Sequence, residues 1–150
     1  MGATSTDAEL ILKLYDLRRE SEMRKARHWW LTFSPESAED VLKVGMAMGS
    51  QENNWLRQVI GYWEMAASLV LHGALNQDLF MEGSFSGEMF LIFSKVQPFL
   101  TELREKMHSP TAFGNMEKVI MNAKGGPERL KQTQERMAMF RKMAQTAKAH

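Results

Sequence analysis

The most strongly patterned segment of the chain is a helix-length stretch from about Gln51 to His72. Five apolar residues fall on one helical face at spacings of i, i+4, i+7, i+11 and i+14: Trp55, Val59, Tyr62, Ala66 and Leu69. A second face adds five more: Leu56, Ile60, Trp63, Ala67 and Val70. Because apolar side chains surround most of its circumference, we expect the helix over residues 51–72 to lie at the centre of the molecule.

Helix-start signals precede this central segment at two places. Thr6 and Glu9 have the spacing of a capping box, and the first six residues before the helix are expected to be disordered. The segment that follows is one long helix or two helices joined near Glu20. Ser34 and Pro35 then predict a short helix that ends between residues 45 and 49.

The segments after the central helix are also helical in pattern. Residues 76–81 predict a short helical turn, and an apolar stripe over residues 86–107 predicts a long helix kinked by Pro98. Two further helices are expected over residues 111–123 and from Pro127 onward. No alternating strand pattern is found. We therefore predict an all-α fold: a single domain over residues 1–150, a compact bundle of five to seven helices, with the Pro98-kinked helix packed on the central one. The expected core residues are Trp55, Val59, Tyr62, Trp63, Ala66, Leu69, Ile92, Val96, Leu100 and Leu103.

Composition and charge are those of an ordinary globular protein. The 150 residues are 44% hydrophobic and 25% charged, and the net charge of +1 gives no overall attraction to nucleic acid or an anionic membrane. The absence of cysteine excludes disulfides, thiolate nucleophiles and cysteine-bound metals. We find no export signal and no membrane-spanning run, so we expect a cytoplasmic protein without integral membrane contact. Gly2 and Thr6 match a short N-myristoylation pattern, which leaves lipidation open.

The last segment differs in charge from the rest. Residues 127–150, predicted as a basic C-terminal helix, contain six basic and two acidic residues, which leaves thirteen basic and sixteen acidic residues elsewhere. Met137, Phe140, Met143 and Ala147 share one side of this helix, a pattern that suits a phosphate backbone or a membrane surface. Since interleaved aromatic residues are lacking, we do not expect a nucleic-acid partner and favour packing of the helix on the acidic body.

A polar stripe on the central helix is the best candidate for a binding site. Its residues lie three or four positions apart: Asn54, Arg57, Gly61, Glu64, Ser68 and His72. Arg57 and Glu64 are two turns apart, and Gly61 between them leaves room for a ligand. An arginine of the first segment is expected to complete the site: Arg18, Arg19 or Arg24. The alternative is structural, with the stripe a solvated edge or Glu64 a buried carboxylate paired with one of these arginines.

Few other residues suggest metal binding or catalysis. Glu105 and His108 have the Glu-x-x-His spacing of di-iron bundles, but those sites use two such pairs and the chain has one. His108 is therefore interpreted as a residue favourable to a helix C-terminus. Because phosphate loops, nucleophile elbows, zinc helices and calcium loops are absent, we expect no metal, no cofactor and no catalytic residue. A haem or single-metal site using His28, His72 or a methionine stays open, as does an enzyme that uses Glu64 as acid or base.

Four stretches carry a resemblance to a known family: Leu14–Glu20, Met23–Arg27, Tyr62–Val70 and Val96–Leu100. Over about residues 10–110 the chain resembles uncharacterised bacterial helical proteins classed as domains of unknown function. The resemblance implies an all-helical, bacterial, cytoplasmic domain. The family has no assigned reaction or ligand and so transfers no site residues, but the resemblance draws attention to the arginine-rich first segment and to Glu64.

The sequence favours a non-enzymatic role. We expect a small helical interaction or scaffold protein that self-associates, with a homodimer favoured and another helical protein as a further candidate partner. Thirteen methionines, mostly on the apolar stripes, fit either core filling or a groove for a partner helix. The alternative is a small-ligand-binding or sensor bundle with its polar site around Arg57 and Glu64. An enclosed cavity against the polar stripe would favour that alternative.

Overall fold

The protein is all-helical. The computed structural model describes residues 2–149, and within this range it contains nine α-helical segments, one 3-10 turn and no strand. The helices are α1 (Ser5–Leu17), α2 (Ser21–Thr32), α3 (Ala38–Gly45), α4 (Gln51–Leu71), α5 (Gln77–Phe80), α6 (Gly83–Val96), α7 (Leu100–Lys106), α8 (Gly114–Asn122) and α9 (Gly126–Ala149), and the 3-10 turn is Gln97–Phe99. The all-α prediction is confirmed. The number of segments exceeds the expected five to seven because two long segments are interrupted and α5 is a single turn.

The first interruption separates α1 from α2. The Glu20 carboxylate accepts hydrogen bonds from the backbone N–H groups of Glu22 and Met23 at 3.1 and 2.9 Å. Because the first N–H groups of a helix have no partner within it, this side chain starts a new helix. The first segment is therefore two helices with a joint near Glu20, one of the two arrangements that the sequence allowed.

The second interruption lies at Pro98. We expected a kinked continuous helix over residues 86–107, whereas α6 ends at Val96 and α7 begins at Leu100 after one 3-10 turn. Proline has no N–H to donate to the carbonyl group one turn earlier, that of Ser94. The Ser94 hydroxyl donates to the Phe90 carbonyl at 2.6 Å. The result is a break between two helices rather than a bend within one.

Two helix starts differ from the sequence expectation. At α1 the cap is Thr4, whose hydroxyl accepts from the Asp7 N–H at 3.2 Å while the Asp7 carboxylate accepts from the Thr4 N–H at 2.8 Å. The helix therefore begins within the segment predicted to be disordered, of which Met1 lies outside the described residues. At α3 the cap is Ser37 instead of Ser34, and Ser37 accepts from the Asp40 N–H at 3.2 Å.

The central helix α4 organises the core, as predicted. α2, α3 and α8 pack directly around it, and Trp63 and Ala66 are fully buried. The Trp63 ring meets the rings of Phe80 and Phe85 edge to face, with centroids 6.2 and 5.5 Å away. Its indole N–H donates to Glu88 on α6 at 2.9 Å. Of the ten expected core residues, eight are buried, and Trp55 and Leu69 are partly buried.

A buried lysine closes the end of α2. The Lys95 ammonium, on α6, donates to the carbonyl groups of Trp30, Leu31 and Phe33, the last at 2.7 Å. These are among the carbonyls that a helix C-terminus leaves without partners. Burial, with a smaller contribution from the charge of Arg141, lowers the pKa of Lys95 to about 8. Lys95 thus has a structural role that its position in the sequence does not reveal.

The last helix is supported by the body only along its first half. At its start, a Cβ on Gly126 would lie 1.8 Å from the Ile120 carbonyl oxygen, so the chain passes α8 too closely for any side chain. α9 then packs on α6 and α8, with Leu130 and Thr133 buried. Residues 138–149 are all exposed, and beyond Phe140 and Arg141, which border clefts on the body, the expected packing of the basic helix on the acidic body is not seen. His150 lies outside the described residues.

No helix in the part of the chain that the structure describes combines the length and the apolar character needed to span a membrane.

Candidate functional site

A cavity of about 460 Å³ lies between α3, α4 and the segment that connects α7 to α8. Its lining residues are Val41, Leu42, Gly45, Met46, Leu56, Ile60, Glu64, Met107, Ser109, Thr111, Ala112, Phe113 and Asn115. Most of these side chains are apolar, and Glu64 is the one ionisable residue among them. Cavities of this size and character are typical of small-molecule sites.

Glu64 joins α4 to the start of α8. Its Oε2 accepts from the backbone N–H of Asn115 at 3.0 Å, and the Asn115 side-chain amide donates to the Glu64 carbonyl at 3.2 Å. The residue before α8, Phe113, supplies no capping side chain. The carboxyl group of Glu64 therefore takes the place of the N-cap, from a helix 51 residues earlier in the chain.

The second carboxyl oxygen of Glu64 has a different environment. Oε1 is buried and has no hydrogen-bond partner among the described residues. Burial raises the pKa of this carboxyl group, an effect larger than the opposing ones of the Asn115 and Met116 N–H groups and the nearby charges of Arg104 and Lys118. The cavity wall thus contains a carboxyl group that holds its proton more tightly than an ordinary glutamate.

The segment between α7 and α8 is held in an uncommon backbone conformation. His108 and Phe113 have φ angles of 52° and 60°, the only positive values among the non-glycine residues that the structure describes. Such conformations cost about 1–3 kcal/mol each and are found often at ligand sites. Arg104 fixes this segment because its Nε donates to the Ala112 carbonyl at 3.0 Å and its guanidinium pairs with Glu117 at 2.9 Å. This part of the cavity wall therefore has a strained backbone, which Arg104 holds in place.

The polar stripe on α4 is divided by the fold. Glu64 lines the cavity, whereas Arg57 and His72 are exposed and do not line it. The Ser68 hydroxyl donates to the Met65 carbonyl of its own helix at 2.6 Å. Gly61 is exposed and has open space around it. Of the predicted ligand-binding residues, Arg18, Arg24, Arg57, Glu64 and His72, the structure thus brings Glu64 alone into the cavity.

Arg18 occupies a buried aromatic cluster on the other side of α4. Its guanidinium carbon lies 4.5 to 5.7 Å from the ring centroids of Tyr15, Tyr62, Trp63 and Phe85. It donates to the Tyr62 hydroxyl at 3.2 Å and to the Phe85 carbonyl at 2.6 Å. Arg18 is therefore a core residue. It does not form the ion pair with Glu64 that the sequence analysis considered for an arginine of the first segment.

Arg24 and Arg19 lie away from Glu64. Arg24 lines an open groove of about 460 Å³ between α2 and α4, together with Ser21, Lys25, His28, Trp29, Thr32 and Trp55. In this groove Lys25 is already paired with Glu22 at 3.0 Å. Arg19 is exposed, 4.0 Å from Asp16. The arginine-rich first segment therefore contributes to the core and to a second surface, and not to the cavity.

Several cavity residues were not expected from the sequence. Met46 and Met107, 75% and 46% exposed, are at the cavity wall, and Asn115 anchors Glu64. No sequence motif marks these residues. The sequence feature that could have pointed to Met46 and Met107 was the large number of methionines. Within residues 2–149 no group of three or more histidine, aspartate or glutamate side chains is placed to hold a metal ion.

The fold and the cavity define an all-α bundle with a preformed, largely apolar pocket beside a buried carboxyl group. The chain belongs to the family described as Domain of unknown function (DUF4760), whose model matches residues 3–122. The resemblance inferred from the sequence over about residues 10–110 is thereby confirmed, and α9 lies beyond the matched region. No curated protein and no solved structure matches the chain.

Proposed function

We propose that the protein is a small-ligand-binding helical bundle whose site is the cavity beside Glu64. The observation that carries this proposal is a preformed cavity of about 460 Å³ whose one ionisable lining residue has a raised pKa. In a mostly apolar pocket, a few polar groups fix the orientation of a ligand. This function corresponds to the ligand-binding alternative from the sequence, with Glu64 kept and Arg57 replaced by Asn115.

The lining residues indicate the chemistry of the ligand. Apolar side chains in the wall favour a mainly apolar ligand: Val41, Leu42, Leu56 and Ile60. The carboxyl group of Glu64 favours a ligand with one hydrogen-bonding group at the end that meets it. Charged ligands fit less well because burial of a charge without a partner is costly. We therefore propose a compact apolar molecule with a hydroxyl or amide group.

Binding is favoured over catalysis by the composition of the cavity. Glu64 has no second acid, base or activated nucleophile beside it among the lining residues. His28 lines the groove between α2 and α4, and His72 is exposed at the end of α4, so neither is placed to assist it. The self-association and the cytoplasmic location expected from the sequence stay predictions.

Methionine methyl NMR tests this site directly, with the neutral dye Nile red as the probe. Met46 and Met107 line the cavity, whereas Met65 and Met139 are exposed elsewhere. We expect saturable shifts of the first two methyl signals and none of the others. Native mass spectrometry of the freshly purified protein would show any small molecule that it retains.

A cavity-filling variant supplies the control. Gly45 lines the cavity and a Cβ built there meets no atom within 4 Å, so Gly45→Phe should fill the space and abolish the shifts. Gly61→Phe places the same side chain on α4 in equally open space outside the cavity and should leave them unchanged. Shifts that persist in Gly45→Phe, or the absence of saturable shifts in the wild type, would exclude the proposal.

A further inference from the structure

The free half of α9 is the largest unpartnered element among the described residues. Residues 138–149, here called the tail helix, are all exposed; Phe140 and Arg141 still border clefts on the body, and the remaining residues to 149 extend α9 by about 12 Å. An isolated helix of this length is marginal in water. Since its apolar side chains stay about half exposed in the monomer, contact with another surface would stabilise the tail helix.

The tail helix has one apolar and one basic side. Met139, Phe140, Met143 and Ala147 fall at i, i+1, i+4 and i+8, and the first three are 50%, 57% and 58% exposed. Arg141, Lys142 and Lys148 occupy the remaining circumference, and no acidic residue lies between residues 136 and 149. A suitable partner surface therefore combines negative charge with apolar contact.

A surface of this charge exists on the body, on α3 and α7. Glu39, Glu102 and Glu105, here called the acidic ridge, surround Lys106. Lys106 pairs with Glu102 at 2.9 Å, and the hydrogen bond to Glu102 and the charges of all three carboxylates raise its pKa. With Lys43 exposed one turn after Glu39, three carboxylates face two ammonium groups and leave the ridge with a net negative charge. The exposed Met46 and Met107 lie on the same two elements, at the end of α3 and after α7.

The tail helix and the acidic ridge begin side by side. A small cleft of about 210 Å³ is lined both by Met137 and Arg141 of α9 and by Glu36 and Phe99. Glu36 comes shortly before α3, and Phe99 directly precedes α7. α9 therefore leaves the body next to the elements that bear the ridge. A face with adjacent basic and acidic parts is complementary to itself under a two-fold rotation.

We infer that the tail helix docks on the acidic ridge of a second copy of this chain, in a reciprocal two-fold dimer. Contact between two tail helices alone would place like charges together and is disfavoured. The reciprocal arrangement pairs each basic segment with a ridge of opposite sign and covers the apolar side of both tail helices. This inference does not rest on the proposed ligand site, although Met46 and Met107 border both surfaces.

A charge-swap experiment tests the contact by sedimentation velocity of the full chain. We expect Lys142→Glu/Lys148→Glu and Glu39→Lys/Glu105→Lys each to raise the dimer dissociation constant at least about tenfold, because each places like charges across the interface. The combined protein, with all four substitutions, should return to within about threefold of the wild type. Raising the salt concentration should weaken the wild-type dimer.

The controls separate this contact from general charge effects and from misfolding. Lys13→Glu/Lys124→Glu changes the net charge equally at exposed lysines of α1 and the α8–α9 connection and should leave the dissociation constant unchanged. Circular dichroism shows whether each variant is folded, and Glu39→Gln/Glu105→Gln provides a milder ridge variant with the same expected direction. A monomeric wild type, or a dimer insensitive to both charge reversals, would overturn the inference. So would a monomer that pellets with vesicles of anionic lipid through Lys142 and Lys148, which would assign the tail helix to a membrane surface.

Discussion

Two buried cations of this protein, Arg18 and Lys95, bind main-chain carbonyl groups rather than carboxylates. Arg18 and Lys95 both donate to main-chain carbonyl groups, of Phe85 and of the end of α2. Neither forms an ion pair with a carboxylate in the described residues. Each cation thereby satisfies acceptors that would be costly to leave unpaired in the core.

The environment of Arg18 requires a planar cation. Its guanidinium lies among four aromatic rings and donates to Tyr62 and Phe85. Lysine cannot reproduce both the flat stacking and the two donors. We expect Arg18→Lys to lower the free energy of unfolding by about 2 kcal/mol in urea denaturation. Arg19→Lys, at an exposed neighbour, should change it by less than about 0.5 kcal/mol, and equal effects of the two substitutions would contradict this role.

The stability of the protein should depend on pH through Glu64. Burial raises the pKa of its carboxyl group, so the native state keeps this proton at pH values where the unfolded chain has released it. As the pH rises through this window, ionisation of Glu64 lowers the free energy of unfolding. Glu64→Gln removes the titration and keeps an acceptor for Asn115. We expect the variant to gain stability relative to the wild type as the pH rises above about 4.3, the pKa of an ordinary glutamate.

Urea unfolding at several pH values measures this difference. Glu52→Gln, an exposed glutamate on the same helix, is the matched control and should show no such trend. A constant difference between Glu64→Gln and the wild type across the window would show that the carboxyl group titrates as it does in water.

The sequence identified Glu64 correctly as the central polar residue but not its partners. Regular spacing along one helix shows which side chains share a face, and this placed Glu64 on the polar stripe. Its partner Asn115 lies 51 residues later, and this pairing depends on how α8 packs on α4. Arg18 was expected beside Glu64, but the aromatic residues of α4 and α6 bind it instead. Tertiary packing determines the partners of both Glu64 and Arg18, and helical periodicity carries no information about it.

At the scale of helices, the sequence predicted the existence of elements better than their ends. The apolar period over residues 51–72 gave α4 within one residue, because many positions contribute to it. Helix starts depend on one or two polar side chains, and the chain offers competing candidates. Both Thr4 with Asp7 and Thr6 with Glu9 have capping spacing, and the first is used. Asp7 also accepts from the Asn76 N–H at 2.9 Å, a tertiary contact that favours the earlier register.

The two threonines at the start of α1 provide a matched comparison. Thr4 accepts from the Asp7 N–H as the N-cap, whereas Thr6 is exposed within the first turn. Thr4→Ala should lower the free energy of unfolding by about 1 kcal/mol, and Thr6→Ala should leave it nearly unchanged. Thermal unfolding followed by circular dichroism measures both. A larger loss of stability in Thr6→Ala than in Thr4→Ala would instead support Thr6 as the N-cap, as predicted from the sequence.

At the scale of the whole molecule, charge and burial are divided between a body and a projecting helix. Residues 127–150 carry six of the nineteen basic residues, and the rest of the chain has more acidic than basic residues. The sequence revealed this division of charge, but it did not show that the basic segment leaves the body. Amphipathic spacing predicts that a helix has a face to cover and does not say which surface covers it.

Shortening the chain tests whether the body is independent of its projecting helix. Ending the chain at Met137 removes the exposed tail helix. It keeps Leu130 and Thr133, whose side chains are buried where α9 packs on the body. Since no buried contact is lost, the melting temperature of the dilute protein should stay within about 1 °C of the full chain. Ending the chain at Gly125 removes the buried half as well and should lower it by several degrees, because a packed apolar side chain is worth about 2 kcal/mol or more. A comparable loss in both shortened proteins would mean that residues beyond 137 pack on the body in solution, and the surface proposed for a second copy would then be covered within each chain.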